Sequence, residues 1–182
     1  MSQASHKPGD TPDPMDQFSI SIAEEPLKTN DGNELGKLII RTRRENPEKP
    51  SRTLGAVWDS RMPLIPEFSV EYSYIVRFNR TPGINPEPAG KHWHKAKNEL
   101  MTAAHGKFKI VLEDRKTKQQ IVCVIDSDAR SEDGTAIEQS VYVPVGVAHA
   151  VLPLDDGFSS LLVVADHPGT QDDEFPYDMT VA

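Results

Sequence analysis

The chain has a single cysteine, Cys123, in 182 residues. That excludes any intrachain disulfide and suits a reducing compartment. It has no apolar run long enough to cross a bilayer and no secretory signal pattern, so a cytoplasmic protein is expected. Positive charge is in deficit: 20 Lys and Arg stand against 28 Asp and Glu, for a formal charge of −8 and a pI near 5.2. Such a surface excludes nonspecific attraction to nucleic acid or to an anionic membrane. Helical periodicity is almost absent as well, which turns attention to strands.

What is present suffices for one domain. Hydrophobic residues make up 37% of the chain and charged residues 26%, a globular balance with enough chain to bury a core. Residues 1–16 are rich in Pro, Asp, Ser and Gly and read as a flexible tail, leaving 17–182 as a single domain. Phe18 to Ile22 is extended and suits a sheet edge or a partner subunit. Leu38 to Ile40 reads as a short buried strand, followed by the basic cluster Arg41, Arg43 and Arg44, a solvated strand end or a reach towards an anionic ligand. Glu45 to Ser51 is a Pro- and charge-rich loop, and Met62 to Pro66 is too broken by proline for a regular element.

From Phe68 the pattern changes. Phe68 to Phe78 is rich in β-branched and aromatic residues and predicts a long strand. Further strands are predicted at His92–His94, Glu99–His105, Phe108–Leu112, Gln120–Ile125, Ile137–Val143, His149–Leu152 and Ser160–Ala165. Asp166 to Ala182 reads as acidic and irregular. Many short strands with Gly and Pro turns argue an all-β sandwich or barrel of antiparallel strands, with one face of each strand towards a central cavity.

The polar candidates for that cavity are His92, His94, Glu99, His105 and His149. On a strand, His92 and His94 point to the same face and Trp93 to the other, towards core or subunit interface. Three imidazoles and the Glu99 carboxylate make a donor set for a divalent transition metal, with positions left for water or substrate. His105 falls on the face of Glu99, Met101 and Ala103, and an imidazole there suits proton transfer near neutral pH. Asp166 is placed to orient an imidazole or simply to end a strand, and Cys123 reads as a small core residue.

Spacing sharpens this. His92, His94, Glu99 and Gly106 follow a His-x-His, Glu, Gly pattern, and Pro144, Gly146 and His149 follow Pro-x-Gly-x-x-His, with His94 and His149 55 positions apart. These resemble the two motifs of the cupin superfamily, in the right order. The resemblance implies a double-stranded β-helix, or jelly-roll, barrel, here flanked by the irregular N- and C-terminal extensions read above, with His92, His94, Glu99 and His149 as metal ligands for Zn, Fe, Mn or Ni. It departs from the pattern at Pro86, Glu138 and Pro153, where the family carries Gly, Gly and Asn.

Within the superfamily, the segments around Phe68–Tyr72, Gly90–Lys95 and Pro144–His149 are most similar to the sugar-nucleotide branch. That branch includes dTDP-4-dehydrorhamnose 3,5-epimerases, dTDP-sugar 3,4-ketoisomerases and the cupin domain of capsular polysaccharide enzymes. The resemblance implies a small-molecule substrate, a keto sugar or sugar nucleotide isomerised or epimerised by proton transfer next to a carbonyl. It implies His92 as the base where no metal is bound, and a homodimer. The epimerases carry Arg-Gly where this chain has Ala89-Gly90, so Lys91, Lys95, Lys107 or the Arg41–Arg44 cluster is left to meet an anionic substrate. Two other readings stay open: an Fe(II)- or Mn(II)-dependent dioxygenase-type cupin, and a non-catalytic small-molecule-binding barrel.

Overall fold

The computed structural model describes residues 22–45, 53–58, 65, 68–84 and 87–181. The predicted tail at 1–16, the extended residues 18–21, most of the proline-broken segments and Pro86 lie outside the described residues. Thirteen strands follow in chain order: β1 (Ile22–Lys28), β2 (Glu34–Thr42), β3 (Arg44–Glu45), β4 (Thr53–Leu54), β5 (Tyr72–Arg80), β6 (Ala89–Trp93), β7 (Glu99–His105), β8 (Lys107–Glu113), β9 (Gln120–Asp126), β10 (Ile137–Val143), β11 (Ala148–Pro153), β12 (Gly157–Ala165) and β13 (Phe175–Pro176). One 3₁₀ turn, Gln171–Asp173, is the helical element among the described residues.

Strand β3 pairs with β4 in a separate two-stranded ribbon, and the other eleven strands form two antiparallel sheets. One runs β1-β2-β10-β7-β12-β5 and the other β13-β6-β11-β8-β9. This is the jelly-roll architecture expected from the sequence. Alternation explains the shared interior: Phe108, Ile110 and Leu112 of β8 meet Met101 and Ala103 of β7 and Leu161 and Val163 of β12, all buried. Phe108 has no exposed surface, and its ring lies 5.5 Å from that of Phe78.

The larger sheet is also covered on its outer face. Ile39, Leu100 and Val164 pack there with Ile65 and Phe68. This is why the long strand predicted from Phe68 begins only at Tyr72. Phe68 turns away to stack near Trp58 at 5.0 Å and against Tyr142 at 6.0 Å, so burial of its ring outweighs strand propensity. Strand β1 was not foreseen beyond Ile22, because as an edge strand it is mostly exposed and lacks apolar alternation.

Two irregularities decide the site. Opposite β11, strand β6 is bulged: His149 pairs with His92, but Ala150 pairs with Gly90. Lys91 takes up the extra residue at φ +59°. In β7, Ala103 pairs with Leu161 but His105 pairs with Ser160, so one extra residue flips the alternation at Ala104. Gly106 then turns at φ +84°, and a Cβ there would lie 2.8 Å from Ser159 Cβ. Gly106→Ala is therefore expected to cost about 2 kcal/mol. In thermal unfolding that lowers Tm by roughly 4–8 °C.

Candidate metal centre

His92 and His149 face each other across the β6–β11 pair, so both side chains leave the smaller sheet on the same side. His94 follows just past the end of β6. Glu99 opens β7 in the other sheet, paired with Val143 and Ala165. The two sheets thus deliver all four side chains to one end of the barrel. One ligand atom from each lies within 4.8 Å of the others. The rings of His92 lie 4.7 Å from those of both His94 and His149. The convergence expected from the sequence is present.

The hydrogen bonds fix which nitrogen faces inward. His94 Nδ1 is 2.7 Å from the Asp173 carbonyl oxygen, and His149 Nδ1 is 3.3 Å from that of Val147. A carbonyl only accepts, so in both rings Nδ1 carries a hydrogen, and in a neutral ring Nε2 is then the free lone pair. His92 Nδ1 sits 2.8 Å from Glu174 Oε1. Burial first, then the neighbouring His149 and His94, push the His92 pKa down to about 3. A neutral His92 therefore also donates from Nδ1.

The inner atoms are consequently all acceptors. Glu99 Oε2 lies 3.2 Å from His149 Nε2 and 3.7 Å from His94 Nε2. Neither Glu99 Oε2 nor His94 Nε2 has a hydrogen-bond partner among the described residues, though both are buried. Burial alone would raise the Glu99 carboxyl, but the Lys97 ammonium 2.8 Å from Oε1 holds it well below the usual carboxylate range. Buried acceptors that face one another are satisfied by a shared proton, a water or a cation between them. Nitrogen and carboxylate donors whose outer atoms are pinned by hydrogen bonds suit a divalent transition metal.

The centre forms the polar end of a cavity of about 340 Å³. His92, Glu99 and His149 line that end together with Lys97, Tyr74 and Glu174. Val76, Phe78, Met101, Val151, Leu161 and Val163 make the apolar walls, and Gly169, Thr170 and Gln171 of the C-terminal segment border the mouth.

That segment, predicted as irregular, is a strap over the site. The Asp173 carboxylate accepts the backbone N–H groups of Lys95, Ala96 and Lys97 at 2.8, 2.9 and 3.1 Å. These bonds outweigh burial and keep its carboxyl below the ordinary value. Phe175 stacks on Trp93 at 4.6 Å, and Tyr177 N–H donates to the Lys91 carbonyl. Trp93 thus points away from the histidines, as expected, and packs against the strap.

Several predicted residues lie elsewhere. His105 is exposed at the end of β7, its ring 5.8 Å from Phe158, because the Ala104 irregularity turns it off the cavity face. Lys107 pairs with Asp126 at 3.0 Å, outside the cavity lining. Arg41 is buried against Ser140, and Arg43 is paired with Glu138. Lys95 sits over the Phe175 ring. Lys91 borders the small groove beside the cavity, with Gln171 and Glu174. Asp166 binds Asn98 through its backbone N–H and Nδ2 at 2.8 and 2.6 Å and touches no imidazole. Sequence reasoning missed Tyr74, Lys97, Asp173 and Glu174. The signals for Tyr74 and Lys97 were a tyrosine in an alternating strand and a lysine two residues before the candidate ligand Glu99.

A jelly-roll barrel with this donor set at one end defines a cupin. The family model FdtA, described as WxcM-like, C-terminal, matches residues 49–179, and the chain belongs to that family. No curated protein matches the sequence significantly. Among solved structures it is similar to dTDP-4-dehydrorhamnose 3,5-epimerase from Bacillus anthracis with TDP and PPi bound, at 16% identity and a TM-score of 0.59, covering 84% of this chain and 82% of that one. It is also similar to QdtA, a sugar 3,4-ketoisomerase from Thermoanaerobacterium thermosaccharolyticum in complex with TDP, at 15% identity and a TM-score of 0.53, covering 76% and 86%. A third is the capsular polysaccharide assembling protein CapF from Staphylococcus aureus, at 14% identity and a TM-score of 0.51. The match covers 89% of this chain but only 36% of CapF. No helix among the described residues is long and apolar enough to cross a membrane.

Proposed function

We propose that the chain is a metal-binding cupin that isomerises or epimerises a keto sugar or sugar nucleotide by moving a proton next to a carbonyl. The observation that carries the reading is the pair of buried acceptors without a partner, Glu99 Oε2 and His94 Nε2, inside the cluster of four side chains at the polar end of the cavity. His92, His94, Glu99 and His149 would hold the ion, which when bound supplies Lewis-acid polarisation of the carbonyl. The substrate class is supported by the family and by the sugar-nucleotide isomerase and epimerase among the structural neighbours.

The chain's own residues divide the remaining work. Tyr74 and Lys97 fix Glu99, and Glu174 fixes His92. The apolar walls keep water from the reacting carbon. With a pKa near 3, His92 is a poor match for a general base at neutral pH, whereas a neutral imidazole is what a ligand requires. Its role is therefore ligation. The proton passes instead to Glu174, the lining carboxylate outside the four, which reaches the cavity from its mouth. The test is elemental analysis of untagged protein, followed by solvent deuterium incorporation into a panel of nucleoside-diphosphate keto sugars. Wild type is expected to carry roughly one metal per chain and to exchange at least one sugar. Glu174→Gln is expected to keep the metal and slow exchange by about 100-fold or more. Metal-loaded protein that exchanges none of the sugars would sink the reading.

A further inference from the structure

Lys97 is an unexpected cation. Only 6% exposed, it places its Nζ 2.8 Å from Glu99 Oε1. Tyr74 donates to the same oxygen at 2.8 Å, with its ring centroid 5.6 Å from the ammonium. Glu99 is thereby divided. Oε1 is saturated by two donors, while Oε2 has none and faces the Nε2 atoms of His94 and His149. A buried ammonium beside a site for a divalent cation is repulsive, because charges in the interior are poorly screened. Tyr74 shows that a neutral donor can reach the same oxygen, so geometry alone does not require a charge there. With Lys97 in place, three imidazoles, none of which supplies negative charge, and an internally compensated carboxylate offer an ion almost no net negative charge.

We propose that Lys97 is a charge-compensating clamp on Glu99. Together with Tyr74 it withholds one carboxylate oxygen, leaves the other for the ion, and so limits how tightly and through how many oxygens the chain binds a divalent cation. An ion held this way keeps more of its charge towards the cavity and retains a position for a substrate oxygen. This rests on the metal reading above and names a positioning residue within it.

The probe is Co²⁺ titrated into the full-length metal-stripped protein, followed by visible absorption and thermal shift. Lys97→Met is expected to bind Co²⁺ roughly tenfold more tightly than wild type, since a repelling charge and a competitor for Glu99 are both gone. Its visible band weakens as Glu99 brings in its second oxygen and the coordination number rises. The thermal shift on adding Co²⁺ is larger in the variant. Lys97→Gln, which keeps a neutral donor, falls between the two. If Lys97→Met folds only with Co²⁺ present, the comparison is made with Lys97→Gln. A lysine needed only for packing would weaken binding when removed, so the sign of the change decides. Equal or weaker affinity with an unaltered spectrum overturns the clamp alone. Wild-type protein that takes up no Co²⁺ overturns the metal reading and the clamp with it.

Discussion

Glu99→Gln is expected to strip the centre of its metal, lowering affinity by at least about 100-fold, while the barrel still folds. Glu99 is the one anion among the four converging side chains, and it is 1% exposed. An amide there keeps the shape and loses the charge. The same change leaves the Lys97 ammonium buried with no carboxylate at 2.8 Å, and a buried charge that loses its partner costs about 3–5 kcal/mol. Two consequences of one substitution therefore have to be separated. The double variant Glu99→Gln with Lys97→Met removes the stranded charge, so its Tm is expected to recover towards wild type while metal content stays near zero. Elemental analysis and thermal unfolding of the four proteins of this cycle give the coupling directly. A Glu99→Gln protein that retained its metal would show that the carboxylate is not a ligand.

Much of this site was written in local patterns. His92 and His94 two apart, Glu99 behind them and His149 at the start of a later strand are recoverable because a strand repeats every two residues and a turn motif announces itself with Pro144 and Gly146. The strands at Glu99–His105 and Ile137–Val143 were legible to the residue because turns bound them closely. His105 was misplaced for a related reason. Strict alternation puts it with Glu99, and nothing in Ala103-Ala104-His105 announces the extra residue that the pairing with β12 absorbs. Tyr74 and Lys97 were hidden because their role depends on which side chain crosses the cavity, a long-range fact. The strap was hidden because Asp173 and Glu174 sit in a run of acids that reads as solvent-facing tail. Only the fold brings that run back, 79 residues on from His94, to the turn at Lys95–Lys97.

Asp173→Ala should cost the protein both stability and metal, although Asp173 belongs to no strand and is not one of the four converging side chains. Its carboxylate ends three consecutive backbone N–H groups in the turn at Lys95–Lys97, and its carbonyl holds the Nδ1–H of His94. Leaving those amides unpaired costs about 3 kcal/mol in total, or roughly 6–12 °C in Tm for a chain of this size. The effect on the ion follows from the same contacts. If the strap loosens, His94 loses its acceptor and Glu174 is drawn from His92, so two of the three imidazoles lose the groups that fix their orientation. Loss of such supporting bonds lowers metal affinity by about 10–100-fold. Asp173→Asn retains an acceptor and should fall between Ala and wild type. Asp172→Ala, at an exposed neighbour in the same turn, should change neither quantity. Wild-type metal content in Asp173→Ala would mean that the histidines hold their orientation without the strap. The expected loss would make docking of the C-terminal strap and occupation of the centre two sides of one equilibrium. Binding free energies are reciprocal, so adding metal must then also hold the strap down, readable as slower proteolysis between residues 166 and 181.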